Sequence, residues 1–98
     1  MSFEVISARK LLELSEKRGY IIIDLRAPED YQKAHVRGAV NISYDDIEKG
    51  RYRLNKNMKI ILYCERGASS FLAARMLHGK GYQVYTVVGG YNAVKMAK

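Results

Sequence analysis

The sequence predicts an α/β fold in a single domain, residues 1–98, with a mostly parallel five-stranded sheet flanked by short helices. Three observations predict it. Tyr20-Ile21-Ile22-Ile23-Asp24-Leu25 and Ile60-Ile61-Leu62-Tyr63 are almost continuously apolar, as expected of parallel strands covered on both faces. Segments with helical spacing of apolar residues alternate with such runs. With 98 residues and 48% hydrophobic content, the chain suits one core and little more.

The elements follow in order. Val5-Ile6 reads as a short first strand. Ser7 is the expected N-cap of a helix in which Ala8, Leu11, Leu12 and Ser15 share helical spacing and which Gly19 stops. Residues 20–25 form the second strand. Pro28 suits the first turn of a short helix over 28–34, where Glu29 and Asp30 complement the dipole. Residues 39–42 follow Gly38 as a third strand. Ser43 caps a helix reaching Glu48, and residues 51–57 are polar loop. The fourth strand covers 59–63. Ser69 or Ser70 is the expected cap of the next helix, which ends near Leu77-His78-Gly79. The fifth strand covers 83–88, and Gly89-Gly90 turns into a terminal helix over 91–97. No repeat, linker or low-complexity segment interrupts this order.

Lysine and arginine outnumber aspartate and glutamate by 17 to 10, for a net charge of +7. That balance suits anionic partners, but the basic residues are spread over many elements and read as a solvated surface. Interleaved stacking motifs are absent, so nucleic acid is not the expected partner. No run is long enough for a membrane span, and the first ten residues do not read as a signal peptide. A soluble, cytoplasmic protein is the expectation, and the lone Cys64 suits a reducing compartment and excludes an internal disulfide.

Cys64 also carries the chemistry. It stands between an apolar strand and the helical segment Phe71-Leu72-Ala73-Ala74-Arg75-Met76-Leu77, with Glu65-Arg66-Gly67-Ala68-Ser69-Ser70 in the turn. Backbone N–H groups and a helix N-terminus can converge at such a turn and favour a thiolate, the nucleophilic form. In parallel sheets ligands gather at the carboxyl ends of strands, where Cys64, Asp24 and Gly89-Gly90 all fall.

These features resemble the rhodanese family of sulfurtransferases, over nearly the whole chain. The first block is Ile23-Asp24-Leu25-Arg26 with Glu29, Tyr31, His35, Gly38-Ala39 and Asn41-Ile42. The second is Cys64 with Gly67, Ser70 and an alanine-rich helix, and the third is Gly81-Tyr82 with Val87-Val88-Gly89-Gly90-Tyr91. The resemblance implies a three-layer rhodanese-like fold. It also implies a Cys64 persulfide that carries a sulfane sulfur from a donor, thiosulfate or a protein persulfide, to a thiophilic acceptor such as a thiol or cyanide. Residues Glu65, Arg66, Gly67, Ala68, Ser69 and Ser70 would form the substrate cradle, with no metal or organic cofactor. The chain departs from the family pattern at Ser69, where many members carry Arg, and at Val94, where tryptophan is common.

Arg66 is the one cation of the turn and is expected to orient an anionic donor. Glu65 opposes one. The hydroxyl of Ser70, more than that of Ser69, is expected to face the pocket. Asp24 and Arg26 are expected to be structural, Arg26 through a pair with Glu29. Neither His35 nor His78 has partners for a metal. Two other functions are conceivable on this scaffold. A noncatalytic binding or sulfur-relay module would act only with a protein partner. A cysteine-dependent phosphatase or arsenate reductase needs an arginine six residues after the cysteine, where this chain has Ser70.

Overall fold

The computed structural model describes residues 3–98. The elements are β1 (Glu4–Ile6), α1 (Ala8–Leu14), β2 (Tyr20–Asp24), α2 (Pro28–Lys33), β3 (Val40–Asn41), α3 (Tyr44–Glu48), β4 (Lys59–Tyr63), α4 (Ala68–Gly79), β5 (Gln83–Val87) and α5 (Gly90–Ala97). The sheet order is β1-β5-β4-β2-β3, with every pairing parallel.

Strand alternation sorts the core into two layers. Ile22, Ile61, Tyr63 and Val87 point to the face covered by Leu11 and Leu14 of α1 and Tyr91 and Val94 of α5. Ile23, Ile60, Leu62 and Cys64 point to the other face, beneath Ile47 of α3 and Ala73, Ala74 and Leu77 of α4. Small alanines let α4 lie close to the sheet. The position where tryptophan was a family alternative, Val94, is fully buried. Ile60, Ile61 and Leu62 have no exposure at all, and burying each stabilises the fold by about 1.5–3 kcal/mol. The strand that leads into Cys64 is therefore buried along most of its length.

β2 and β4 are neighbours, but the chain leaves β2 toward β3 on one side and leaves β4 toward β5 on the other. The two following loops diverge and open a crevice at the carboxyl ends of these strands, where ligands bind in open α/β sheets.

Several boundaries differ from expectation. Helix α1 ends at Leu14, well before Gly19, because residues 15–19 offer nothing apolar to bury and Ser15 turns its hydroxyl back to Leu12 O at 2.8 Å. Helix α2 ends at Lys33, where Ala34 is already extended. Strand β3 shortens to two residues at the sheet edge. Ser7 and Ser43 cap α1 and α3 as the sequence suggests, accepting from Lys10 N and Asp46 N.

Candidate active site

The turn after β4 wraps the thiol in backbone donors. The Gly67 N–H donates to Cys64 Sγ at 3.1 Å and the Ser70 N–H at 3.3 Å. Gly67 adopts φ 111° and is the N-cap of α4, so the helix begins earlier than Ser69 or Ser70 would start it. This corrects the expected cap. A left-handed residue turns the chain sharply enough for the first helical N–H groups to face back on the sulfur. Ser69 and Ser70 consequently fall inside the first turn. The N–H groups of Ala68 and Ser69 have no backbone acceptor among the described residues and remain available to a ligand.

Ser70 meets the thiol through its backbone N–H and not through its hydroxyl. Its side chain is fully buried, donates to Gly67 O at 3.1 Å and accepts from Thr86 Oγ1 at 2.7 Å. The hydroxyl expected in the pocket instead ties the turn to β5. On its far side the turn is clamped by α5. The Tyr91 N–H donates to Cys64 O at 2.7 Å and the Asn92 N–H to Glu65 O at 3.2 Å. Gly90 makes this approach feasible. With φ 60°, a Cβ there would lie 2.4 Å from Cys64 O and 2.7 Å from Glu65 C.

The loop after β2 forms the opposite wall. The Asp24 carboxylate, fully buried, accepts from Arg26 N at 2.8 Å, from Arg26 Nη2 at 2.9 Å and from the Tyr63 hydroxyl at 2.6 Å. That hydroxyl accepts in turn from Val36 N at 3.0 Å. Burial, then the bond to Asp24, pushes the Tyr63 phenol well above its ordinary value, so it stays a donor. Burial draws the Arg26 guanidinium down, but Asp24, with Tyr63 and Glu65 behind it, outweighs this and the net shift is upward. The guanidinium also lies 4.0 Å from the Tyr91 ring centroid. Arg26 therefore pairs with Asp24 and Glu65, not with Glu29 as the sequence suggested. Glu29 lies in the first turn of α2, while the guanidinium turns back to the buried carboxylate of Asp24.

Cys64, Glu65 and Ser69 line an open cavity of about 390 Å³ together with Leu25, Arg26, Ala27 and Asp30. Arg66 is exposed and is not part of that lining. Gly67 and Ala68 are not part of that lining either. A larger cavity of about 490 Å³ lies elsewhere, between Phe3, His78, Tyr82 and the start of β5, and holds no thiol. His35 holds its own turn, with Nδ1 at 2.7 Å from Tyr31 O and its ring stacked on Tyr31.

The family profile described as Rhodanese-like domain matches residues 7–97. The chain belongs to the rhodanese-like family. It is 35% identical to the thiosulfate sulfurtransferase GlpE of Pseudoalteromonas translucida, over 99% of this chain and 93% of that one. Identity is 29% to the thiosulfate sulfurtransferase GlpE of Coxiella burnetii, over 97% and 90% of the two chains. A rhodanese-related protein from Thermoplasma volcanium superposes with a TM-score of 0.87 at 22% identity, covering 96% of this chain and 92% of that one. The sulfurtransferase chemistry of the family and the rhodanese fold thus stand together. Among the described residues no helix is long and apolar enough to cross a membrane.

The close approach of Gly90 to Cys64 O and the hydrogen bonds of the Tyr63 hydroxyl are the features of the site that the sequence reading did not supply. Gly89-Gly90 was placed at the pocket border, and its glycine pair was the available signal. Tyr63 reads from the sequence as core or pocket wall, and nothing there signals the partners of its hydroxyl.

Proposed function

We propose that this rhodanese-like protein is a single-domain, cytoplasmic sulfurtransferase that carries a sulfane sulfur as a persulfide on Cys64. The observation that supports this best is the pair of backbone N–H groups, from Gly67 and Ser70, aimed at the only thiol of the chain. Amide donors that hold Sγ also suit a terminal sulfur anion one bond further out, where the free N–H groups of Ala68 and Ser69 can serve it.

With thiosulfate as donor, the Cys64 thiolate attacks the sulfane sulfur. The new S–S bond forms as the old one breaks, and sulfite departs with the electron pair. A thiol or cyanide then attacks the outer sulfur, and the bonding pair returns to Cys64 as thiolate. No net oxidation occurs, and the two steps balance without a metal or an organic cofactor. A protein persulfide enters the same first step, with a thiolate as leaving group. Relay from a protein partner is the second reading, and the carboxylates of Glu65 and Asp30 at the cavity favour it over use of free dianions.

Intact mass after exposure to thiosulfate or to a persulfide-bearing cysteine desulfurase tests the proposal. Gain of one sulfur atom, removed by a thiol reductant and absent in Cys64→Ser, is expected. A wild-type mass unchanged by both donors would overturn it.

A further inference from the structure

One charged group at the cavity is left unused by this chemistry. Arg26 Nε and Nη2 donate to Asp24, and Nη2 donates also to Ala34 O. Nη1 makes no hydrogen bond among the described residues, and its one charged neighbour is Glu65 Oε1 at 3.5 Å. The two partners differ in freedom. The Arg26 side chain is 6% exposed and fixed on three sides, whereas that of Glu65 is 48% exposed. Both line the cavity that holds Cys64. A buried guanidinium nitrogen with unfilled donor positions is suited to an oxyanion. Glu65 occupies that place with a carboxylate of its own.

We propose that Glu65 is a displaceable counterion on Arg26 Nη1 and sets the discrimination between oxyanion-bearing and other sulfur donors. The proposal rests on the persulfide reading. Thiosulfate has to put a sulfonate oxygen where the Glu65 carboxylate stands, so Glu65 must swing into solvent first. A donor without an oxyanion leaves the ion pair in place. With cysteamine persulfide, the thiolate attacks the terminal sulfur, the S–S bond breaks and the cysteamine thiolate leaves with the pair. Asp30 adds negative charge to the same cavity but forms no ion pair with Arg26. It provides the control for general charge.

The test compares wild type, Glu65→Gln and Asp30→Asn in two ways. First, sulfate, which carries no transferable sulfur, is used to protect Cys64 from iodoacetamide. Second, kcat and KM are measured with thiosulfate and with cysteamine persulfide. Glu65→Gln is expected to lower both the half-protecting sulfate concentration and the thiosulfate KM by about three- to fivefold, the range of a partly exposed ion pair. The ratio of kcat/KM for thiosulfate to that for cysteamine persulfide rises by at least about threefold. Asp30→Asn shifts sulfate protection by less than about twofold. Unchanged sulfate protection in Glu65→Gln, or equal shifts in the two variants, overturns the proposal. If no donor adds sulfur to any variant, the persulfide reading fails, while sulfate protection still decides whether Glu65 guards Arg26.

Discussion

The two loops that face each other at the carboxyl ends of β2 and β4 are built in opposite ways. After β2, geometry comes from side chains: Asp24, Arg26 and Tyr63 lock one another, and all three are buried. After β4, it comes from the backbone. Gly67 N, Ser70 N, Tyr91 N and Asn92 N make the defining contacts, while the side chains of Glu65, Arg66 and Ser69 stay exposed. The first loop is a fixed wall whose residue identities matter. The second is a cradle whose shape depends on glycines and whose exposed positions are free to tune the substrate.

The largest expected effect falls on the one side chain the cradle exists to hold. Cys64→Ser is expected to abolish sulfur transfer and leave the circular dichroism spectrum unchanged. A serine hydroxyl can accept from the same two N–H groups, but it does not form a persulfide. Turnover at the wild-type rate would remove the thiol from the mechanism.

Next is the glycine that brings α5 against the cradle. In Gly90→Ala the new methyl meets Cys64 O and the Glu65 carbonyl carbon, both backbone atoms of the turn that carries the thiol. Destabilisation of about 2–4 kcal/mol is expected from the clash and the positive φ together. Transfer should fall at least about tenfold, as one ångström matters to attack geometry. Gly38→Ala is the comparison. Its φ is 84°, but nothing lies within 4 Å of the added methyl, so about 1–2 kcal/mol is expected with transfer retained. Equal activity losses would mean that backbone strain, not contact with the cradle, governs the site.

The wall is broken most cleanly by Tyr63→Phe, which strips a hydroxyl from Asp24 and from Val36 N. A loss of about 2 kcal/mol is expected, since a buried carboxylate and a buried N–H each lose a partner. Cys64 should still load sulfur. The pH dependence has a definite sign. The phenol is raised above its ordinary value of about 10 in the folded state, so the folded protein keeps a proton that the unfolded chain releases. Its contribution is fully present below that value and declines as pH rises beyond it. Urea denaturation from pH 9 to 11 should show wild type losing stability more steeply than Tyr63→Phe, and parallel slopes would refute the assignment.

This contrast also explains what was legible in the sequence. The strands were, because Ile60-Ile61-Leu62 is apolar on both faces and can only be central. The thiol at the strand end was legible too, because Gly67 and the following helix lie within a few residues of it. The partners of Arg26 were not. Local spacing offered Glu29, while the structure supplies Asp24 at a strand end and Glu65 from a different loop. Asp24 is as local as Glu29, but it is buried at the strand end and faces the guanidinium, whereas Glu29 lies on the following helix. Only Glu65 is supplied by proximity across the sheet, which a local window does not record. The cap of α4 was missed for a related reason. Serine is the better cap by propensity, but the sulfur recruits the Gly67 and Ser70 N–H groups and sets the helix start at Gly67.

The smallest effect belongs to Arg66, the loop cation from which the sequence suggested donor orientation. It is exposed and stands apart from the lining of the Cys64 cavity, and it forms no ion pair among the described residues. In a cradle held by backbone donors, such a side chain contributes a solvated charge that reaches a dianion through water. That attraction weakens with salt, because the screening length is about 8 Å at physiological ionic strength. Arg66→Ala should therefore raise the thiosulfate KM by about twofold at low ionic strength and by less at 0.15 M. Its kcat should hold, as should its kinetics with a donor that carries no oxyanion. A loss of tenfold or more that persists in salt would mean that Arg66 closes directly onto the donor. The cradle would then depend on a side chain, as the wall does, and the division between the two loops would no longer stand.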